Sequence, residues 1–118
     1  MFVLDSHCDT PSQILRLRDL SKDNAYAHVD FPKLKRGGVD AAFFALYIPA
    51  ELEEAEAYVH ACRLYDTIND ALYTNAEVIA LAVSEAQAYE NKKNGRFSVF
   101  LGLENGSPIG KSLERLKE

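Results

Sequence analysis

The stretch VDAAFFALYIP, residues 39–49, is a nearly continuous apolar run that ends at Pro49. Gly37-Gly38 precedes it and would end a short helix over residues 33–36, for which Asp30 and Pro32 supply the start. A strand that is apolar on both faces is typical of a parallel sheet covered by helices on each side. This stretch therefore predicts an α/β fold with a parallel sheet.

Segments on both sides of this strand alternate between strand-like and helix-like patterns. The predictions are a strand over residues 2–4, a helix from Pro11 through Ile14, Leu15 and Leu17, a strand over residues 78–83, a helix that Ser84 caps and that ends near Asn94-Gly95, a strand over residues 97–103, and a helix over residues 112–118. Strands that alternate with helices pair in parallel. The 118 residues make about one small domain.

The most regular helical pattern covers residues 51–73. Apolar side chains recur there at intervals of three and four residues, which places them on one face of a helix. The predicted apolar face consists of Ala55, Tyr58, Cys62, Tyr65, Ile68 and Leu72. The glutamates at the start of this segment lie where the helix dipole favours acids, so we interpret them as a solvated helix start rather than as ligands.

Composition and charge exclude several classes of protein. The 18 acidic and 13 basic residues give a net charge of −5, so we expect neither nucleic acid nor an anionic membrane surface as a partner. No apolar run approaches the roughly 20 residues of a membrane span, and Met1 is followed by no signal-peptide pattern, so we expect a soluble, by default cytoplasmic chain. Cys8 and Cys62 form no C-x-x-C pattern and predict no disulfide framework.

Side chains with metal-binding chemistry follow two of the predicted strands. Asp5, His7 and Asp9 occupy alternate positions, so in an extended segment they would share one face. Glu104 directly follows the strand over residues 97–103, and the carboxyl ends of parallel strands form the edge where such folds bind ligands. An imidazole and carboxylates at one edge suit zinc or a similar ion. The simpler interpretation of His7 and Asp9 is a turn or a helix cap, and Glu104 favours the metal site over it.

The remaining cysteine and histidine residues favour no second site. Cys8 beside His7 raises the possibility of a thiol nucleophile, but neighbours in an extended segment face opposite ways, which favours a structural cysteine. His28 lies in a polar loop and His60 lies opposite the predicted apolar face of its helix, so we expect both at the surface.

Three stretches, in order along the chain, resemble the membrane (renal) dipeptidases, the zinc-dependent peptidase family M19. The first-strand motif of the family resembles DSHCDTP, residues 5–11, and its second-strand region resembles VDFPKLKRGGVDAAFFALYIP, residues 29–49. Its segment around a metal-bridging glutamate resembles GLENGSPIG, residues 102–110. Ser107 is a departure, since the family commonly has a histidine at this position.

The resemblance implies a TIM-type (β/α)8 barrel with a two-zinc site. It implies that His7 and Asp9 bind one zinc and that Glu104 bridges to the second. Asp5 is then a candidate for a residue behind the ligands that orients one of them. The implied reaction is the hydrolysis of a dipeptide substrate by a hydroxide held between the two metals.

A complete barrel needs roughly 250 residues. The resemblance places the other metal ligands on later strands, so we expect residues 1–118 to be a single partial domain, the N-terminal portion of a dipeptidase with three or four parallel strands and little activity alone. Its exposed strand edges would permit homo-oligomers. The alternatives are a barrel metallohydrolase of the amidohydrolase type, which usually has H-x-H in place of His7-Cys8-Asp9, and a non-catalytic α/β module.

Overall fold

The structure is a computed structural model that describes residues 1–16 and 18–117. Strands and helices alternate within these residues, as predicted. In chain order they are β1 (Leu4–Cys8), α1 (Thr10–Ile14), α2 (Phe31–Arg36), β2 (Ala41–Tyr47), α3 (Glu54–Thr74), β3 (Ile79–Leu81), α4 (Glu85–Lys93) and β4 (Phe97–Glu104). No helix among the described residues is both long and apolar enough to cross a membrane.

The four strands form one parallel sheet in the order β1-β2-β4-β3. β2 lies between β1 and β4 and pairs with β4 along its whole length, from Ala41 opposite Ser98 to Tyr47 opposite Glu104. β3 lies beyond β4 and pairs with only its first three residues, 97–99. The parallel sheet with flanking helices is therefore confirmed, and the carboxyl ends of its strands face one edge.

One face of the sheet carries the core. Phe44 of β2 and Val99 of β4 point toward the helices and are 1% exposed, as is Ile68 of α3. Burial of each such side chain contributes roughly 1.5–3 kcal/mol of transfer free energy. The core thus holds the central strands in place and leaves their carboxyl ends free to carry polar residues.

The buried face of helix α3 matches the predicted one only in part: Ile68 is buried and Leu72 packs against the core, as predicted, but Ala57 and Leu64 lie outside the predicted set. Ala57, Leu64 and Ile68 are its buried residues, whereas Cys62 and Tyr65 of the predicted face are exposed. Apolar residues are so frequent in this helix that two neighbouring stripes satisfy the spacing of three and four residues. The stripe that includes Ala57 and Leu64 is the one that packs inward.

The largest differences from the predicted elements lie near the two ends of the chain. The first strand begins at Leu4 and continues to Cys8, because backbone pairing with β2 extends past the apolar residues 2–4. The helix predicted over residues 112–118 is wrong, since residues 113–117 form successive turns; helix nucleation is costly in so short a segment. Leu17 and Glu118, the last residues of two predicted helices, lie outside the described residues.

A buried carboxylate anchors the loop that precedes α2. Asp30 is the N-cap of α2, as predicted, and its Oδ1 accepts a hydrogen bond from the backbone N–H of Lys33 at 2.9 Å. Its Oδ2 accepts one from the backbone N–H of Asn24 at 3.0 Å and also pairs with the ammonium group of Lys33. Gly37 ends the helix.

Candidate metal centre

Three of the predicted site residues lie at the carboxyl edge of the sheet. His7 is the penultimate residue of β1, Asp9 follows as the N-cap of α1, and Glu104 is the last residue of β4. Because β1 and β4 lie on either side of β2, their backbones are roughly 10 Å apart. The side chains of His7 and Glu104 are long enough to meet between them.

The donor atoms of these three residues converge. Nε2 of His7 lies 3.4 Å from Oδ1 of Asp9 and 3.2 Å from Oε2 of Glu104. One donor atom from each residue lies within 4.8 Å of the other two. Within residues 1–16 and 18–117, this is the one group of three or more His, Cys, Asp or Glu side chains close enough to share an ion.

The chemistry of the group fits a divalent metal. Oε2 of Glu104 is buried and has no hydrogen-bond partner among the described residues, so its contact with His7 has the distance of an ion pair without the geometry of a hydrogen bond. A buried carboxylate oxygen without a hydrogen-bond partner is a position where a water molecule or an ion can bind. One nitrogen and two carboxylate oxygens are ligands that zinc accepts, and donors on a tetrahedral zinc lie about 3.4 Å apart. The three residues could therefore hold such an ion with little movement.

Asp5 contacts His7 through the backbone. Its Oδ1 accepts a hydrogen bond from the backbone N–H of His7 at 3.1 Å. A β-bulge between Asp5 and Cys8 places one extra residue in β1, since these residues lie opposite Ala42 and Phe44 of β2. The strict alternation predicted for this segment is therefore interrupted. In this geometry Asp5 holds the backbone of His7 rather than its ring.

The other candidate residues lie away from the group. The thiol of Cys8 contacts the hydroxyl of Thr10, with Sγ and Oγ1 2.8 Å apart, and packs against the core, which agrees with a structural cysteine. His28 is exposed, as predicted, whereas His60 is half-buried. A cavity of about 670 Å³ lies at the opposite edge of the sheet, where Phe97 begins β4, and none of the predicted site residues lines it.

Sequence reasoning missed one residue beside the group. Asn105 follows Glu104 with a φ of +80°. Its Nδ2 donates a hydrogen bond to the carbonyl oxygen of Ile48 at 3.0 Å, and its Oδ1 accepts one from the backbone N–H of Ser107 at 3.1 Å. The available signal was the Asn-Gly pair after a strand, because asparagine tolerates the left-handed region and closes turns with its own side chain.

Comparison with known proteins gives a curated relative that is named as a dipeptidase. A curated relative, the dipeptidase ataJ of Aspergillus terreus, is 26% identical over 129 aligned positions, which cover 98% of this chain and 32% of that protein. This chain therefore spans about a third of the length of that relative.

Several solved structures share the fold, and two of them are metallopeptidases. The dipeptidase AC, a metallopeptidase of family M19, matches 99% of this chain and 40% of its own with a TM-score of 0.89 at 20% identity. A metallopeptidase from Rhodobacter sphaeroides, bound to a phosphinate mimic of the dipeptide L-Ala-D-Ala, matches 99% of this chain and 42% of its own with a TM-score of 0.89 at 19% identity. The parallel sheet with its helices is thus consistent with part of a TIM-type barrel.

The match to a family model extends over the whole chain. The model describes the membrane dipeptidases, peptidase family M19, and it matches residues 1–118. This match agrees with the fold shared with the solved dipeptidase structures and with the order of the three motifs along the chain. This chain therefore belongs to the membrane dipeptidase family.

Proposed function

We propose that residues 1–118 form a partial domain that supplies one part of a zinc-dependent dipeptidase site. His7 and Asp9 would hold one metal, and Glu104 would bridge it to a second metal whose other ligands come from outside residues 1–118. The observation that carries this proposal is the convergence of the three donor groups around the unsatisfied Oε2 of Glu104. Membership of the family supports the reaction class.

Each residue has a defined task in this proposal. His7 offers the lone pair of Nε2, and the two carboxylates compensate the positive charge of the ion. Asp5 restrains the backbone of His7 and so limits the positions of the imidazole. When bound, zinc polarises the peptide carbonyl and activates water for attack.

Dipeptides are the proposed substrates. Support comes from the dipeptidase names of the relatives and from the dipeptide mimic bound to the Rhodobacter sphaeroides enzyme. The segment His7-Cys8-Asp9 departs from the H-x-H of amidohydrolase-type barrels, which favours the dipeptidase over that alternative.

Metal binding by the 118-residue chain is the first test. Co²⁺ is a spectroscopic substitute for Zn²⁺, so we expect visible absorption bands on titration and a dissociation constant that rises at least tenfold in His7→Ala and Glu104→Gln. His28→Ala is the matched control, because it removes an exposed imidazole that lies outside the group. Equal affinity in His7→Ala and His28→Ala would contradict the proposed ligand set.

Hydrolysis of L-Ala-D-Ala is the second test. With Zn²⁺ present, we expect no turnover by the 118-residue chain alone and turnover by a polypeptide in which residues 1–118 are followed by the remainder of a family barrel. Turnover by the chain alone would overturn the proposal of a partial site. Inactivity of the longer, zinc-loaded polypeptide toward a panel of dipeptides would overturn the proposed reaction.

Strand-edge association is a separate proposal for the chain in solution. Beyond residue 99, the outer edge of β4 has no pairing strand among the described residues. Unpaired strand edges promote association between chains. We expect light scattering after size exclusion to show species larger than 13.2 kDa. A single monomer peak at high protein concentration would contradict this expectation.

A further inference from the structure

The residue after Glu104 has an unusual backbone conformation. Asn105 is the one non-glycine residue with positive φ in the described part of the chain. This conformation costs most residues roughly 1 kcal/mol, and asparagine and glycine tolerate it best. Glycine would also adopt this backbone conformation, so the conformation alone does not account for asparagine, and the side chain must be considered.

The Asn105 side chain connects the ends of two strands. Nδ2 donates to the carbonyl oxygen of Ile48, 57 positions away in the sequence. The backbone N–H of Ile48 in turn donates to the carbonyl oxygen of Glu104 at 3.1 Å. Both backbone polar groups of Ile48 are therefore engaged by residues 104 and 105. A second bond, from the N–H of Ser107 to Oδ1, closes the turn that follows.

This arrangement bears directly on the carboxylate of Glu104. The side chain of Glu104 starts on β4 and reaches toward His7 on β1, so a small rotation of its backbone is magnified at Oε2. The Ile48 N–H fixes the carbonyl of Glu104, and the Asn105 amide fixes the peptide that follows. Groups that hold a ligand from behind tune metal affinity by their effect on its orientation.

We infer that Asn105 is a positioning residue for Glu104: its cross-strand hydrogen bond to Ile48, and not only its positive φ, holds the carboxylate toward His7 and Asp9. The inference rests on the proposed metal site. Its action is indirect, because Asn105 itself does not enter the group of donor atoms.

Two substitutions separate the side chain from the backbone. Asn105→Gly retains the positive φ and deletes both side-chain hydrogen bonds. Asn105→Asp retains an acceptor for Ser107 but places an oxygen where Nδ2 donated to Ile48. It also adds a negative charge, which by electrostatics alone would tighten the binding of a cation. If the aspartate variant binds the cation more weakly, the added charge is not the cause, because that charge alone would strengthen binding.

The measurement is the dissociation constant of Co²⁺ with the 118-residue chain, together with the urea unfolding of the metal-free chain. We expect about tenfold weaker binding in both Asn105 variants. The matched control is Asn75→Gly, which deletes an equivalent hydrogen bond from an asparagine Nδ2 to the carbonyl of Ala71 at the end of α3. It should lower stability and leave the Co²⁺ affinity unchanged.

The outcomes distinguish this inference from the proposed function. If the wild-type chain binds Co²⁺ and Glu104→Gln weakens binding, but Asn105→Gly binds as the wild type does, the inference alone is overturned. Tighter binding by Asn105→Asp would also overturn it. If Glu104→Gln has no effect on Co²⁺ affinity, the proposed metal site fails first. Weaker binding in both Asn105 variants, with Asn75→Gly unchanged, supports the inference.

Discussion

Two carboxylates in this chain occupy opposite environments. Asp30 is buried at the start of α2, where both of its oxygens accept hydrogen bonds. Glu104 ends β4 with one buried oxygen that no described residue hydrogen-bonds. A buried charge stabilises a fold when it is paired and costs stability when it is not. The comparison therefore assigns Asp30 to folding and agrees with the proposal that Glu104 binds a ligand.

The pKa of Asp30 reflects its environment. Burial would raise the pKa of this carboxyl group, but the hydrogen bonds from the Lys33 ammonium and from the backbone of Asn24 and Lys33 outweigh burial and lower the pKa from 3.8 to about 2. The same hydrogen bond raises the pKa of Lys33. Both partners thus favour the charged pair, which persists across the pH range in which most proteins are stable.

The largest effect is expected from removal of the satisfied carboxylate. Asp30→Ala deletes the cap of α2 and the anchor of the preceding loop, and we expect it to lower the free energy of unfolding by about 3 kcal/mol. Asp30→Asn should lower it less, because asparagine is also a good N-cap. Urea unfolding of metal-free protein measures both. A loss below 1 kcal/mol in Asp30→Ala would remove the assigned role of Asp30 in folding.

Acid should remove part of the same stabilisation. The unfolded carboxyl takes up a proton near its ordinary pKa of 3.8 and the folded one only near about 2, so the unfolded state binds more protons between these values. The free energy of unfolding therefore decreases as the pH is lowered through this window, by about 2 kcal/mol for this group. The difference between wild type and Asp30→Asn isolates Asp30 from the other acids. It should shrink between pH 5 and pH 2.5, and a constant difference would contradict the assignment.

A third acid, Glu54, is exposed but partnered, and it provides an intermediate case. Its Oε1 lies 3.0 Å from Nη1 of Arg115, and Gly110 packs against its carboxylate with a φ of +56°. A Cβ on Gly110 would lie 2.2 Å from Cδ of Glu54. Gly110→Ala should therefore lower the free energy of unfolding by about 1.5 kcal/mol, through backbone strain and displacement of the carboxylate.

Gly106→Ala is the control for this substitution. Its Cβ would meet nothing within 4 Å, and its φ lies outside the left-handed region. Urea unfolding of the two variants compares them directly. Equal losses in Gly106→Ala and Gly110→Ala would show that the contact with Glu54 does not restrain this segment.

The sequence predicted the fold well where apolar patterns and helix caps determine the structure. Residues 39–49 contain β2, and Asp30 and Ser84 cap the helices that they were predicted to cap. The buried face of α3 was predicted correctly only at Ile68 and Leu72, because spacing does not distinguish between neighbouring apolar stripes in an apolar-rich helix. Only packing against the sheet selects Ala57 and Leu64 over Cys62.

The residues of the candidate site could be predicted from the sequence, but the contacts that hold them in position could not. His7, Asp9 and Glu104 could be named because the ends of parallel strands meet at one edge. The bulge after Asp5 and the bond from Asn105 to Ile48 depend on contacts between distant segments, which a single sequence does not display. Whether the three residues bind metal stays a prediction.

The smallest effect on stability is expected from substitution of Glu104, whose Oε2 has no hydrogen-bond partner among the described residues. This substitution tests the comparison between Asp30 and Glu104 most directly. Glu104→Gln preserves the shape of the side chain, deletes no hydrogen bond of Oε2 and removes a negative charge close to Asp9. Removal of the buried charge should stabilise the fold, but loss of the ion-pair contact with His7 opposes this, so we expect the free energy of unfolding of the metal-free chain to change by less than about 0.5 kcal/mol.

Zn²⁺ should reverse the order of the two carboxylates, because the stability gained from zinc depends on Glu104 and not on Asp30. A metal that binds only the folded state at a hundred times its dissociation constant adds about 2.7 kcal/mol to the stability of the wild type. Glu104→Gln should lose about half of this gain or more, whereas Asp30→Asn should keep it in full despite its lower starting stability. Urea unfolding of the wild type and the two variants, with and without Zn²⁺, gives the six values needed. An equal gain from zinc in the two variants would mean that the environments of the two carboxylates differ without a difference in function.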